Sequence, residues 1–171
     1  MLPEAVARIF DIKGRDFNKP LPLIASDRDA VMRAVSEWPE IAERLARAFW
    51  PGPLTIVLPA SPELPPALHA GTGKIAVRIS SHPVAAMLAK ASGGLLISTS
   101  ANKSGEPAPV GLDEISPKLC AHVDEIIDSG VLPGGLPSTI VDVAAYAPVL
   151  VRAGAIDWEK IRQAIEPGIA G

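Results

Sequence analysis

A chain of 171 residues with 48% hydrophobic and 20% charged residues can bury a sizeable core, which argues against an intrinsically disordered protein. A formal net charge of −3 argues against a protein that coats nucleic acid through bulk electrostatics, although local basic clusters can still bind a small anion. The single cysteine, Cys120, excludes an intrachain disulfide and a zinc finger and fits a reducing cytoplasm, and the sequence pattern predicts neither a signal peptide nor a membrane span.

The apolar pattern alternates between helical and extended spacing along the chain. Prolines at a first helical turn support helices that begin at Pro3 and Pro83, and a capping side chain supports two others. In chain order we predict helices over 3–12, from a Ser26 or Asp27 cap to about Trp38, over 41–50, over 83–91 and, after an Asp157 cap, over 158–165. We predict strands over 54–58, 75–79, 95–97, 125–128, 139–143 and 149–152.

The order of these elements predicts the fold class. Helices and strands mix without a strict βαβ rhythm, so we expect an α/β fold with an open, twisted sheet of mixed parallel and antiparallel strands and helices on its flanks. The sequence has no internal repeat, no low-complexity tract and no linker long enough to separate two domains. We therefore expect residues 1–171 to form a single domain.

Hydrogen-bonding side chains cluster directly after the predicted strand 95–97. Four of the five residues from Ser98 to Asn102 carry a hydroxyl or an amide group. A buried group of this kind costs roughly 1–3 kcal/mol when it has no partner, so these side chains need backbone or ligand partners. A helix N-cap or a Ser/Thr turn accounts for them equally well, because the turn-forming residues 104–107 follow.

Three cations, Lys13, Arg15 and Lys19, follow the first predicted helix within seven residues. Together they could neutralise a triphosphate, because arginine offers phosphate oxygens a planar fork and lysine offers them a point charge. The same residues are also typical of an ordinary helix C-terminus with Gly14 as its cap. Both interpretations stay open at this point.

Two arginines, Arg78 and Arg152, interrupt otherwise apolar strands. An arginine in such a position needs an anion or a water-filled cleft, unless its strand face is simply exposed. Ser138 and Thr139 open another strand, as a hydroxyl pair at a strand edge often does. The three histidines and the cysteine show no metal-ligand spacing, and neither a P-loop nor a dinucleotide-binding fingerprint is present.

Taken in order, these motifs resemble those of the YrdC-type threonylcarbamoyl-AMP synthases. The resemblance extends from about Pro3 to Ile165, and although each piece alone is weak, the ordered set is highly specific. The matching segments are Lys13-Gly14-Arg15, Lys19-Pro20-Leu21, Trp50-Pro51-Gly52-Pro53-Leu54-Thr55, Val77-Arg78-Ile79, Ser98 to Gly105, Pro137 to Asp142 and Arg152-Ala153-Gly154.

The resemblance implies a YrdC-like open α/β fold with a concave, positively lined cavity. It implies a nucleotidyltransferase that makes threonylcarbamoyl-AMP and pyrophosphate from L-threonine, bicarbonate and ATP, with Mg²⁺ on the phosphates. It assigns no protein metal ligand and no general base. The residues that it implies for ATP are Lys13, Arg15, Lys19, Lys74, Ser100, Asn102 and Arg152, and those for threonine are Arg78, Ser98 and Ser138.

The resemblance also implies partners and a compartment. A tRNA-modifying transferase would pass the threonylcarbamoyl group to a tRNA adenosine, in the cytoplasm and away from membranes, and the cavity would also suit contact with RNA. Ala108 falls where many relatives carry serine, so that any nucleotide contact there would be made by the backbone.

Two departures from the family pattern concern the ends of the chain. The family carries a strand and turn with a Thr-Val-Tyr-Gly-Leu-like stretch before the first helix, whereas Met1-Leu2-Pro3 enters that helix directly. Three explanations stay open, namely a start codon placed too late, a truncated chain, and a protein that has lost activity. We expect this YrdC-like domain, N-terminally truncated relative to the family, to be impaired in activity. At the other end, little follows Arg152-Ala153-Gly154, as in the short, single-domain form of the family.

Two other functions are compatible with the same motifs. The carbamoyl-adenylate-forming domain of hydrogenase maturation is related, but it normally belongs to a much longer chain. A non-catalytic RNA-binding module could use the same cavity, and its affinity would fall steeply with salt through counterion release.

Overall fold

The computed structural model describes residues 2–132 and 134–166. The helices are α1 (Pro3–Lys13), α2 (Arg28–Ala34), α3 (Glu40–Phe49), α4 (Pro66–His69), α5 (Pro83–Ala91), α6 (Pro117–Cys120) and α7 (Trp158–Ile165), with a 3₁₀ turn at Leu112–Glu114. The strands are β1 (Leu23–Ala25), β2 (Leu54–Pro59), β3 (Lys74–Ile79), β4 (Leu95–Ile97), β5 (Thr139–Asp142) and β6 (Val149–Arg152). In this part of the chain, no helix has the length and apolar character needed to cross a bilayer.

The six strands form one mixed sheet in the order β4-β1-β3-β2-β5-β6. Strand β1 runs parallel to β3 and β2 runs parallel to β5, while the pairs β1–β4, β2–β3 and β5–β6 are antiparallel. This arrangement confirms the predicted α/β fold with a mixed parallel and antiparallel sheet and flanking helices.

One face of the sheet is packed into the core. The side chains of β2, β3 and β5 alternate with a period of two, so that every second residue points to the same face. On the core face they are fully buried against apolar residues of α1, α2, α3 and α7. The fully buried apolar residues of β2, β3 and β5 are Leu54, Ile56, Leu58, Ile75, Val77 and Val141. Most residues between them are half-buried, which leaves the opposite face accessible.

Helix starts follow the local chemistry of the sequence. The Asp27 Oδ1 atom accepts a hydrogen bond of 2.8 Å from the Ala30 N–H and caps α2. Asp157 caps α7 in the same way through the Glu159 N–H, at 2.7 Å. The predicted continuation of α2 to Trp38 is wrong. The helix ends at Ala34 because the backbone then turns into a β-bridge between residues 35 and 60.

The predicted strand over 125–128 is also wrong, because this segment pairs with no strand among the described residues. Strand propensity depends on packing against neighbouring strands, and the edges of this sheet are β4 and β6. Ile126 and Ile127 are consequently 47% and 58% exposed. Strand β1 was not predicted as a strand, since its three residues are all buried and show no alternation.

Candidate active site

The sheet register brings polar side chains onto the open face. Thr55, Ile140 and Arg152 are paired in one row across β2, β5 and β6, and Arg78 of β3 comes directly after Val77, which pairs with Ile56 next to Thr55. Residues that oppose each other in neighbouring strands point to the same side, so these four side chains project from the face opposite the core. The sheet therefore sets two arginines and a hydroxyl group beside one another without any help from loops.

A hydrogen-bond network joins Arg152, Ser138 and Thr55 on this face. The Arg152 Nε and Nη2 atoms donate to the Ser138 carbonyl at 3.1 and 2.7 Å, and Nη2 also donates to Ser138 Oγ at 3.0 Å. Ser138 Oγ lies 2.8 Å from the hydroxyl of Thr55, which is buried. Sequence reasoning placed Thr55 in a motif but gave it no role at the site. Its signal was a hydroxyl within a strand that is otherwise apolar.

Arg78 is the unpaired cation of this group. Its half-buried side chain makes no hydrogen bond or salt bridge to residues 2–132 or 134–166. Burial lowers the pKa of its guanidinium, and repulsion from Arg152 lowers that pKa further. A partly desolvated arginine beside a second arginine is unfavourable unless an anion completes the arrangement. The geometry therefore favours an anionic ligand over the simple exposed-strand interpretation.

Lys74, at the start of β3, forms an ion pair on the same face. Its Nζ atom lies 2.7 Å from Asp142 Oδ2, and Asp142 Oδ1 accepts a 2.8 Å hydrogen bond from the Ala144 N–H. The Lys74 side chain is 40% exposed. Ion pairs this exposed contribute about 0–1 kcal/mol, so a phosphate can compete for the ammonium. Asp142 orients this lysine, a role that its place in the sequence did not reveal.

A second cluster lies where α1 ends. Lys13 is only 5% exposed, and its Nζ atom donates to the Ser100 carbonyl at 2.6 Å and to the Asn102 carbonyl at 2.5 Å. A longer contact of 3.3 Å reaches Asn102 Oδ1. Burial lowers the pKa of Lys13, and repulsion from Arg15 adds to that effect. The end of α1 and the loop after β4, which are far apart in sequence, are thus held in direct contact.

Arg15 and Lys19 lie at the two ends of a tight loop. Arg15 Nη2 donates to the Pro20 carbonyl at 2.8 Å, and Arg15 Nε donates to the Lys19 carbonyl at 3.3 Å. Burial lowers the pKa of Arg15. The Lys19 side chain is exposed and makes no side-chain hydrogen bond to the described residues. Gly14 begins the loop with a φ of 55°, which glycine adopts without steric cost.

The predicted site residues therefore fall into two groups, in which Arg152 contacts Ser138 and Lys13 contacts Ser100 and Asn102. The sheet cluster consists of Lys74, Arg78, Ser138 and Arg152. The loop cluster consists of Lys13, Arg15, Lys19, Ser100 and Asn102. Ser98 follows β4 at once, and its N–H donates to the Pro22 carbonyl at 2.9 Å, beside the start of β1. In the described part of the chain, no side-chain hydrogen bond joins the two clusters.

Two further features of the described residues bear on the site. A surface concavity of about 390 Å³ is lined by Leu112, Asp113, Asp128, Gly130 and Val131, and so does not coincide with either cluster of cations. The predicted concave basic cavity stays a prediction. Among residues 2–132 and 134–166, no group of three or more His, Cys, Asp or Glu side chains is placed to hold a metal ion.

The chain is similar in sequence to proteins of one known family. The Sua5/YciO/YrdC family model, described as telomere recombination, matches residues 1–154. A threonylcarbamoyl-AMP synthase of Alkalilimnicola ehrlichii is 40% identical over 152 residues, which cover 86% of this chain and 78% of that protein. A threonylcarbamoyl-AMP synthase of Pyrococcus abyssi is 37% identical over 161 residues, covering 94% of this chain and 47% of that protein.

Similarity extends to solved structures. The crystal structure of Pyrococcus abyssi Sua5 complexed with L-threonine matches with a TM-score of 0.90 and 37% sequence identity, covering 95% of this chain and 48% of that one. The chain thus spans about half the length of the Pyrococcus relative, and the matched region includes nearly all residues of the present chain.

Proposed function

The chain belongs to the Sua5/YciO/YrdC family, and on that premise we propose that it forms threonylcarbamoyl-AMP and pyrophosphate from L-threonine, bicarbonate and ATP. The observation that carries the proposal is Arg78, a half-buried arginine on the open face of the sheet that lacks an anionic partner among the described residues. The named relatives support the reaction, and the two clusters of cations supply groups for the threonine carboxylate and for the triphosphate of ATP.

The sheet cluster suits the amino acid. Arg78 offers the threonine carboxylate a planar, two-pronged donor, which is the geometry that carboxylates bind best. The hydroxyl groups of Ser138 and Ser98 are assigned to the polar groups of the same substrate. Ser138 is already oriented by Thr55 and Arg152, so it loses little conformational entropy when the ligand binds.

The loop cluster suits the triphosphate. Arg15 and Lys19 contribute positive charge from one loop, and Ser100 and Asn102 contribute hydrogen-bonding groups from the loop after β4. Lys74 and Arg152 would face the nucleotide from the sheet. Lys74 can leave Asp142 for a phosphate oxygen, because their ion pair is partly exposed and weak.

The chemistry requires alignment and charge neutralisation more than proton transfer. The threonine ammonium gives a proton to solvent, and the free amine combines with bicarbonate as an N-carboxylate (a carbamate) with loss of water. A carbamate oxygen then forms a bond to the α-phosphorus of ATP, the bond from that phosphorus to the β-phosphate bridge breaks, and pyrophosphate leaves. Both reactants are anions, so the cations around the site lower their mutual repulsion and hold them in line. No protein base is assigned.

The residues present fit a Mg²⁺ ion held mainly by the triphosphate and water. Mg²⁺ commonly takes only one or two carboxylates from a protein and completes its shell with water and substrate phosphates. When bound, the ion would neutralise part of the phosphate charge. The product is proposed to pass to a tRNA-modifying transferase.

Pyrophosphate release tests the proposal. The protein should release pyrophosphate from ATP when threonine and bicarbonate are both present, and omission of either should reduce the rate to the background of ATP alone. The Arg78→Met variant should also fall to that background. Arg162→Met, which removes an exposed arginine from α7, should retain the wild-type rate. Equal pyrophosphate release without threonine would contradict the assignment.

A further inference from the structure

Lys13 and Lys19 belong to the same short basic motif, yet the structure treats them differently. Lys13 is 5% exposed, whereas Lys19 is exposed and makes no side-chain hydrogen bond to residues 2–132 or 134–166. An ammonium group has three N–H donors. Those of Lys13 face three acceptor atoms, namely the carbonyls of Ser100 and Asn102 and the Oδ1 atom of Asn102. Its hydrogen-bonding capacity is therefore used within the protein.

The contacts of Lys13 continue through the loop after β4. The Lys13 carbonyl accepts a hydrogen bond of 3.0 Å from the Ser104 N–H. Asn102 Nδ2 donates to the Glu106 carbonyl at 2.5 Å, and the Ser100 hydroxyl donates to Asn102 Oδ1. Lys13 thus holds this loop through its side chain, at Ser100 and Asn102, whose side chains were assigned to ATP, and through its backbone, at Ser104.

We propose that Lys13 is a positioning residue, which holds Ser100 and Asn102 in the conformation that binds ATP and does not itself contact phosphate. This inference rests on the proposed function for the identity of the nucleotide. Loss of the ammonium would leave two partly buried carbonyls without their charged donor. Hydrogen bonds to charged groups contribute about 1.5–3 kcal/mol, so ATP affinity should fall about tenfold to a hundredfold.

Replacement of Lys13 by arginine distinguishes a direct phosphate contact from a positioning role. Three acceptors converge on one nitrogen atom of Lys13, which a compact ammonium satisfies and a planar guanidinium does not. Lys13→Arg keeps the positive charge but should still loosen the loop and weaken ATP binding. If Lys13 contacted a phosphate, arginine would replace it with little loss, because guanidinium binds phosphate well.

The test compares Lys13→Met and Lys13→Arg with Lys19→Met, which removes the same charge from the same motif. Affinity for ATP is measured by calorimetry, and amide hydrogen exchange over residues 100–106 is measured without ATP. Both Lys13 variants should exchange faster over 100–106 than the wild type, with unchanged protection in β2 and β3, and should bind ATP at least about tenfold more weakly. Lys19→Met should weaken ATP binding without faster exchange.

Wild-type exchange over 100–106 in both Lys13 variants, or wild-type ATP affinity in Lys13→Arg, would overturn the positioning role. Should Lys13→Met fail to fold, Lys13→Arg decides the question alone. The proposed reaction has a separate readout in pyrophosphate release by the wild-type protein. A wild type that binds ATP but releases no pyrophosphate with threonine and bicarbonate would contradict that reaction. Loosened loops in the Lys13 variants would then still support the positioning role.

Discussion

Replacement of Arg78 should change stability and ligand binding in opposite directions. Arg78 is half-buried, has no hydrogen-bonding partner in the described structure and is repelled by Arg152. In the ligand-free protein its charge is therefore a net cost to the folded state. Methionine keeps much of the length and apolar stem of the side chain and removes the charge, so that Arg78→Met should be at least as stable as the wild type.

The expected magnitudes differ between the two effects. Replacement of buried ionic groups by apolar ones is often neutral or stabilising by a few kcal/mol, and partial exposure of Arg78 reduces that gain to about 1 kcal/mol or less. For a chain of this size this corresponds to a rise in Tm of no more than about 2–4 °C. Loss of a buried partner for the threonine carboxylate should cost roughly 2–5 kcal/mol, which weakens binding by about 30-fold to several thousand-fold.

Thermal unfolding and calorimetric titration with L-threonine measure both effects on the same samples. Arg78→Lys should recover the charge but little of the affinity, because lysine lacks the planar fork. Arg162→Met serves as the matched control, since it removes an exposed arginine of α7 and should leave threonine binding unchanged. A lower Tm for Arg78→Met together with wild-type threonine affinity would refute this account of Arg78.

Two further predictions concern stability. The pKa of Glu43 is lowered to about 2 by hydrogen bonds from Arg28 and Trp38, so its carboxylate stabilises the folded state above the ordinary value of 4.5 and loses that effect as the pH falls toward 2. The urea midpoints of the wild type and Glu43→Gln should therefore differ at neutral pH and converge over that acidic range. Thr139 is buried and makes hydrogen bonds of 2.7 and 2.9 Å with the backbone of Ile156, so Thr139→Val should cost about 1–3 kcal/mol in urea unfolding.

A specific result would contradict each of these two stability predictions. A constant difference between the two urea midpoints from neutral pH to about pH 2 would show that the Glu43 carboxylate is not the source of the effect. For Thr139, the matched variant is Thr139→Ser, which keeps the hydroxyl and should retain most of the stability. Equal stability of the valine and serine variants would refute the role of the hydroxyl.

The sequence was most informative where a structural signal is local. Asp27, Pro83 and Asp157 each start a helix through their own chemistry, and the structure has helices at all three places. Strands that depend on pairing with residues far away in the sequence were predicted less reliably. Residues 125–128 have the composition of a strand but find no strand to pair with in the described structure, and β1 is recognisable only through its neighbours β3 and β4.

The same distinction applies to the candidate site. Arg78 was identifiable from the sequence because an arginine in an apolar strand requires an anion or water. The roles of Thr55 and Lys13 were not, because they depend on contacts across 83 and 89 positions of sequence, to Ser138 and Asn102. Sequence reasoning grouped Lys13 with Lys19 by charge, and only the burial of Lys13 separates a loop-holding lysine from an exposed one.

Isotopic labelling of bicarbonate tests the central claim most directly. The protein is incubated with ATP, Mg²⁺, L-threonine and labelled bicarbonate, and the nucleotide products are examined by mass spectrometry alongside measured pyrophosphate. The account predicts threonylcarbamoyl-AMP that carries the label in its carbamoyl carbon, in an amount equal to the pyrophosphate, and none when threonine is omitted. Pyrophosphate formed without the labelled adenylate, or a labelled adenylate formed without threonine, would contradict it.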